Sequence, residues 1–497
     1  MSNPFIVDKE FTVDYRERKI GPAWFALESG TWEVKTPEPI LIGGEGGGSL
    51  KSEVLAIIRQ SKEILAICSF LMSDDDLLKA ILEASDRGVR VYILTASKDR
   101  VSKDTSDDES WQKQMQIEHE KMLNSLCSKT LLRDAQVHAK FIVADPNTEQ
   151  KRGVLSTANF TTEAFLHPEL GVVLNDSQID ELFSIFCSAW WGLGERELLQ
   201  PNLLSDARDI IPSVSNEIIE VTQNLKEFVV TYPNRTTSLR KEIKRLFQES
   251  TEGIFIAVYG LSDDDSTFKN LVSSVGKKDV RLLVRPRPKT TPIIDDIKSK
   301  GGEVRGLDFL HAKVICTKTE GGVEALLMTA NLEKISLQDG FEVGIKLGGD
   351  IARDLLKLLY HWWNNANWEY ENSKKLGNHL GAYLSLSDRD FEKHDMVETK
   401  TVNLGEQLIE DLASLESYKP KFPDMNDVHR VVFSWITQPR QLAKKCKPHK
   451  IEGLDESIKV WKCDKNRIYI SVSNQEELDR VLKTPERPKV PIVYHKS

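Results

Sequence analysis

Residues 137–145 read VHAKFIVAD and residues 310–318 read LHAKVICTK. Each is a His-x-Lys triplet running into a string of apolar and β-branched residues, the composition of a strand buried on both faces. STANF (156–160) follows the first and MTANL (328–332) the second. Then come PELGVVL (168–174) and FEVGIKL (341–347), which set Glu169 31 residues after His138 and Glu342 31 residues after His311. Upstream, ILAICSFLMSDDDLLKAILEASDRGVRVYILTASK (64–98) answers to IFIAVYGLSDDDSTFKNLVSSVGKKDVRLLVR (254–285). Both give a strand, a Ser-Asp-Asp-Asp cluster, an amphipathic helix and a second strand. Helices ending in Trp190-Trp191 and Trp362-Trp363 close the two copies. Matching blocks in one order at one spacing mark a tandem duplication.

Strands alternating with helices predict an α/β chain: two tandem α/β sandwich repeats with mixed sheets. The spacing places the first at 1–200 and the second at 201–375, with a break between Pro201 and Pro212. The first carries an extra segment, 101–130, rich in Lys, Asp, Glu and Gln, which reads as an inserted helix over or beside the site. Residues 376–497 hold no third copy and read as a small α+β domain. Its helices are expected around 404–417, 425–437 and from Glu476, and its strands at KVWKC and RIYISVS.

A chain of 497 residues is too long for one ordinary core. With 40 % hydrophobic and 29 % charged residues its composition is that of a globular protein. It contains no run of about 18 apolar residues and opens on no basic-then-apolar leader, so neither a membrane span nor export is expected. Six scattered cysteines without a C-x-x-C pair suit a reducing, cytoplasmic compartment without disulfides or structural zinc. The net charge of −9 provides no whole-protein basic field, so composition alone names no substrate.

The blocks HAKFIVAD…STANF and HAKVICTK…MTANL resemble the HKD signature of the phospholipase D superfamily, His-x-Lys-x4-Asp followed by Gly-Ser-x-Asn. The resemblance covers about residues 50–370. A lone His-x-Lys arises by chance; two, each trailed by Thr-Ala-Asn and by Glu at one spacing, do not. The resemblance implies a phosphodiesterase that needs no metal and no cofactor. One imidazole attacks phosphorus and the other protonates the leaving oxygen. It assigns His138 as nucleophile and His311 as general acid, an order the sequence itself leaves open. Lys140 and Lys313, two residues after each His on the same face, would neutralise the non-bridging oxygens. Asn159, Asn331, Thr157 and Thr329 would donate hydrogen bonds to them. Glu169 and Glu342 would each accept a hydrogen bond from the far nitrogen of their own His. Thr157 and Thr329 stand where the family has Ser, and Ser156 and Met328 where it has Gly. Asp145 keeps the motif's supporting acid, which Lys318 replaces in the second copy, so an active but asymmetric site is expected.

Other features have blander readings. The clusters Asp74-Asp75-Asp76 and Asp263-Asp264-Asp265 suit helices beginning at Ser73 and Ser262 better than a metal site. GGEGGGS (43–49) lacks the Gly-Lys-Ser/Thr ending of a phosphate loop and reads as a flexible entry to a helix near Ser49. The paired tryptophans read as core packing. Arg440, Lys444, Lys445 and Lys447 form the most basic stretch, a candidate nucleic-acid contact or equally a solvated face. His119, His361 and His379 have no partner spacing and read as incidental.

Within the superfamily, a chain without membrane anchors and with an appended domain fits a nuclease, acting on DNA rather than RNA. A bacterial restriction or antiphage setting, with a partner ATPase or a homo-oligomer and no membrane, follows by analogy. A lipid-directed hydrolase and a non-catalytic nucleic-acid-binding or scaffold subunit are the alternatives.

Overall fold

The computed structural model describes residues 19–102, 109–206 and 224–372, apart from 21–22, 28–29 and 288–289. Beyond them it describes the strands 374–375, 382–384, 446–449, 459–463, 467–472 and 492–494. Two mixed sheets dominate. In the first, Ile64–Ser69, Arg90–Ala96 and Leu131–Ala135 run parallel. Antiparallel to Ile64–Ser69 lies Phe141–Ala144, followed outward by Arg152–Ser156, Leu170–Val173 and the edge strand Ile40–Ile42. The second repeats this plan with Gly253–Val258, Asp279–Val284 and Glu303–Gly306 parallel. There Val314–Thr319, Gly322–Met328, Glu342–Leu347 and Phe228–Tyr232 follow outward. The mixed α/β architecture and its duplication are as the sequence predicts.

The strand after each motif shows why it reads as unbroken apolar sequence. Phe141 and Val143 join a central core, while Ile142 and Ala144 join the outer core of the first half. The central core is shared, bringing Phe141, Leu155 and Val172 together with Val314, Leu327 and Val343. Between the sheets lie the helices Asp176–Gly192 and Gly349–Asn364. Glu181 on the first of these accepts the backbone N–H groups of Glu227 (3.2 Å) and Phe228 (2.9 Å), tying the first half to the opening strand of the second. Trp190, Trp362 and Trp363 are buried there, as core packing requires; Trp191 is instead 40 % exposed, and Arg133 lies over both Trp190 and Trp191.

The division at 1–200, 201–375 and 376–497 does not follow the sheets. Ala23–Ala26 pairs with Trp368–Glu371 and with Ala382–Leu384, so the N-terminal strand and a strand beyond 375 both extend the second sheet. Leu203–Asp206 pairs with Arg196–Gln200 and extends the first. Short edge segments carry no period that names their sheet, and only tertiary pairing decides it. In the tail, KVWKC and RIYISV are strands of a four-stranded sheet with Cys446–His449 and Ile492–Tyr494. The helices expected at 404–417, 425–437 and from Glu476 lie outside the described residues.

Both acidic clusters cap helices, but the cap is aspartate rather than the preceding serine. Asp74 accepts from the Leu77 N–H (3.0 Å) and Asp265 from the Thr267 N–H (2.7 Å), so the helices start at Asp75 and Ser266. The glycine run is packed tightly. The Gly43 N–H donates to the Glu169 carbonyl (3.1 Å) and the Gly44 N–H to the Phe165 carbonyl (2.9 Å). A Cβ on Gly43 would sit 2.3 Å from the His167 carbonyl oxygen. Glycine here lets the chain lie against the segment that delivers Glu169.

Candidate active site

The His-x-Lys triplets lie just before the strands Phe141–Ala144 and Val314–Thr319, not within them. At the strand mouths their backbone pairs across the two halves. The His138 N–H donates to the Phe341 carbonyl (2.9 Å), and the His311 and Ala312 N–H groups donate to the Pro168 carbonyl (3.2 and 3.0 Å). Phe341 and Pro168 immediately precede Glu342 and Glu169. Each histidine is thereby laid beside the glutamate of the opposite half.

The side chains complete the exchange. His138 Nδ1 bonds Glu342 Oε1 at 2.7 Å, and His311 Nδ1 bonds Glu169 Oε1 in a very short contact. Pairing of each glutamate with its own histidine, implied by the family pattern, is therefore incorrect for this chain. The equal 31-residue spacings are compatible with either arrangement, and the pairing between halves selects the crossed one. Both carboxylates are fully buried. Burial works to raise their pKa, but the histidine and lysine beside each outweigh it and hold Glu169 and Glu342 down at about 2.

Thr157 and Thr329 do not face a substrate. Thr157 Oγ1 donates to Glu169 Oε2 and accepts from the Leu170 N–H (2.8 Å). Thr329 Oγ1 donates to Glu342 Oε2 (2.6 Å) and accepts from the Val343 N–H (3.0 Å). They were expected as donors to phosphate oxygens; both are wholly buried and instead fix the second oxygen of each carboxylate. The relay runs from Thr157 through Glu169 to His311, and from Thr329 through Glu342 to His138.

Nδ1 of each imidazole is committed to a carboxylate, which leaves Nε2 for chemistry. Desolvation pulls both rings down, His138 to about 4 and His311 to about 3, and the neighbouring glutamates offset it only in part. Lys140 is completely buried and donates to the His138 carbonyl; Lys313 donates likewise to the His311 carbonyl and lies 3.1 Å from His311 Nδ1. Burial brings Lys140 down to about 7, against the pull of Glu342 and with the repulsion of Lys313. The same fields reach across the halves, since Lys140 also depresses His311. The two motifs thus build one site.

Asn331 Oδ1 accepts the Gly260 N–H (3.2 Å), which orients its amide, while Asn159 Oδ1 is buried without a partner among the described residues. Both remain donors to an anion. Two aromatic walls that the motifs do not name also line the site. Phe70 meets His138 edge-on at 4.8 Å between centroids, and Tyr259 meets His311 at 4.7 Å. The repeat carries the signal, an aromatic three residues before each Ser-Asp-Asp-Asp. The segment expected over or beside the site includes the helix Glu109–Leu126, which lies beside it. Met115 packs on the cluster of Phe70, Leu71, Ala96 and Val101, and His119 accepts the Met72 N–H at 3.0 Å. His119 is consequently a buried tie and not incidental.

Asp145 stands at the far end of its strand, with its backbone in the left-handed region (φ 49°). Its carboxylate accepts the N–H groups of Lys62 (2.9 Å), Glu63 (2.7 Å) and Ile64 (3.0 Å). In the second half the Lys318 backbone carbonyl takes the Thr251 N–H instead (2.8 Å), and a cleft lined by Glu252, Asp279, Arg281 and Lys318 opens there. The asymmetry between the motifs is therefore structural and lies away from the histidines. Asp145→Ala is expected to cost about 1–3 kcal/mol in urea unfolding, from three stranded donors, with kcat of the folded fraction unchanged. A loss of kcat without a loss of stability would contradict this.

Arg440, Lys444 and Lys445 lie outside the described residues; Lys447 is on the strand Cys446–His449 of the tail sheet. Among the described residues no group of three or more His, Cys, Asp or Glu is placed to hold a metal ion, and no helix is long and apolar enough to cross a membrane.

A duplicated α/β scaffold with a shared histidine–lysine centre defines the class. Residues 54–190 match the family described as cardiolipin synthase, PLD-like domain, and the second half repeats its motif. That match makes residues 54–190 a PLD-like domain, of the kind that acts on phosphodiesters. No curated protein matches it in sequence. Among solved structures, phosphatidylserine synthase of Haemophilus influenzae Rd KW20 is 13 % identical (TM-score 0.47, 74 % of this chain and 92 % of that one). Polyphosphate kinase from Porphyromonas gingivalis is 13 % identical at TM-score 0.42; the match covers 70 % of this chain but only 47 % of the kinase. Nuc, a phospholipase D family member from Salmonella typhimurium, is 18 % identical (TM-score 0.26, 29 % of this chain and 97 % of that one).

Proposed function

We propose that the chain is a phosphodiesterase that cleaves nucleic acid, DNA in preference to RNA, through a phosphohistidine intermediate. The observation that carries this is the pair of imidazoles, each held through Nδ1 by a carboxylate of the opposite half and each followed by a buried lysine. Nε2 of His138 attacks phosphorus, and the bond to the leaving oxygen breaks as His311 gives that oxygen a proton. His311, now neutral, takes a proton from water; the water oxygen attacks phosphorus and the phosphorus–nitrogen bond breaks. Lys140, Lys313 and the amides of Asn159 and Asn331 balance the oxyanions. The wider setting we propose with it, restriction or antiphage defence beside a DNA-translocating ATPase, rests on the superfamily resemblance alone.

The test is incubation with single- and double-stranded DNA, RNA and anionic phospholipid vesicles, each in excess EDTA. DNA cleavage that survives chelation is expected, because protein cations already neutralise the phosphate. Headgroup release without DNA cleavage would replace nucleic acid with lipid as the substrate, and complete loss under EDTA would sink the metal-free route.

The site also predicts a pH dependence. One histidine must be neutral and the other protonated in the free enzyme, and both pKa values lie below the ordinary 6.5. The protonated acid is therefore depleted as pH rises, and kcat/KM should peak on the acid side of 6.5, the pair titrating as a unit. A kcat/KM profile still rising above pH 7.5 would contradict it.

A further inference from the structure

One cation beside the site takes no part in the reaction as written. Arg100, on the short helix Lys98–Ser102, is only 3 % exposed. Its guanidinium carbon lies 5.2 Å from the centroid of the Phe70 ring, the ring that also meets His138 and has Lys140 Nζ 5.5 Å from its centroid. Among the described residues nothing accepts a hydrogen bond from its Nε or Nη1, both of which are buried. No carboxylate forms an ion pair with it there. A guanidinium is always charged and carries five donors in a rigid fork. With its Nε and Nη1 buried and unpaired it opposes folding, and the face of an aromatic ring compensates only in part. Such a group is retained where an anion completes it.

The scissile phosphate already has two lysines and two amides, and Arg100 stands on the Phe70 side of His138 rather than between the two histidines. In the second half a guanidinium also lies over the corresponding ring, Arg287 being 4.3 Å from the centroid of Tyr259, which meets His311. We propose that Arg100 binds a second phosphate of the substrate, next to the one that is cleaved on the His138 side. The site would then accept a chain carrying consecutive phosphates and would set its direction across the two histidines. This rests on the phosphodiesterase reading above and narrows it to polyanionic substrates.

The test is binding of two small nucleotides to the full chain by titration calorimetry. Thymidine 5′-monophosphate presents one phosphate and thymidine 3′,5′-bisphosphate two. The wild-type chain should bind the bisphosphate about tenfold tighter, as expected for one additional charge-assisted fork contact. Arg100→Gln should lose that preference while its affinity for the monophosphate changes by less than about threefold, and Arg100→Lys should keep part of it. Unliganded Arg100→Gln should melt no lower than wild type, since an unpaired buried charge is removed. Equal weakening of both ligands, no preference in the wild type, or a large drop in melting temperature with no change in preference would each overturn the proposal. The substrate reading fails separately: a chain that shows the preference yet cuts no oligonucleotide loses its assignment as a nuclease but keeps Arg100 as a phosphate ligand.

Discussion

Replacing His138 with alanine is expected to lower kcat by about three powers of ten or more, and replacing His311 should do the same. The expectation follows from the way the halves share the site. His138 is backed by Glu342 and Thr329, and His311 by Glu169 and Thr157, so neither motif owns a complete set of working parts. In the proposed mechanism nucleophile and acid act as a unit, so the double variant should be scarcely slower than either single one. The missing acidic residue of the second motif does not weaken this, because its counterpart Asp145 holds backbone N–H groups at the far end of its strand. Near-normal activity of His311→Ala would mean that the second half is only a scaffold.

The second large effect is the crossed one. Glu342→Gln is expected to lower kcat by about 10–100-fold, the usual cost of losing a partner that orients a working histidine, and Glu169→Gln similarly. What separates this from general damage is which ring feels the change. Glu342→Gln should move the imidazole nitrogen resonances and pKa of His138 and leave those of His311 near their wild-type positions. Glu169→Gln should do the reverse. Removing a carboxylate that stabilises the imidazolium lowers the pKa of the histidine it faces still further, so the perturbed ring should be neutral at a pH where it was partly protonated before. Resonances of His311 that respond to Glu342→Gln alone would restore the uncrossed pairing.

Much of the scaffold could be read from residue types. VHAKFIVAD and LHAKVICTK announce strands buried on both faces, and their repetition with Thr-Ala-Asn and Glu at fixed distances shows two copies of one unit. The histidines, lysines and asparagines follow from the same blocks. What could not be read was set by contacts distant in sequence. The crossing of Glu169 and Glu342 depends on the backbone of His138 meeting Phe341 and that of His311 meeting Pro168. Thr157 and Thr329 carry hydroxyls that a substrate or a carboxylate could claim, and only the fold shows the carboxylate a hydrogen bond away. Ala23–Ala26 joins the second sheet because Trp24 is buried among that half's core residues, a fact local sequence does not encode. The glycine run looks loose in sequence, yet its closeness to the His167 carbonyl shows that the missing side chains serve packing. Arg100 reads as one charge among several in SKDR; its burial over the Phe70 ring is what distinguishes it.

The central claim is one composite site that cleaves phosphodiesters through a covalent histidine adduct. Its most direct measurement is rapid quenching of the full chain during turnover of a labelled oligonucleotide, followed by mass spectrometry of the peptides under alkaline conditions. A phosphorus–nitrogen adduct on His138 is expected, forming and decaying within the turnover time and absent from His138→Ala. An adduct on His311 would exchange the roles of the two histidines within the same site. Turnover with no adduct on either histidine would contradict the mechanism.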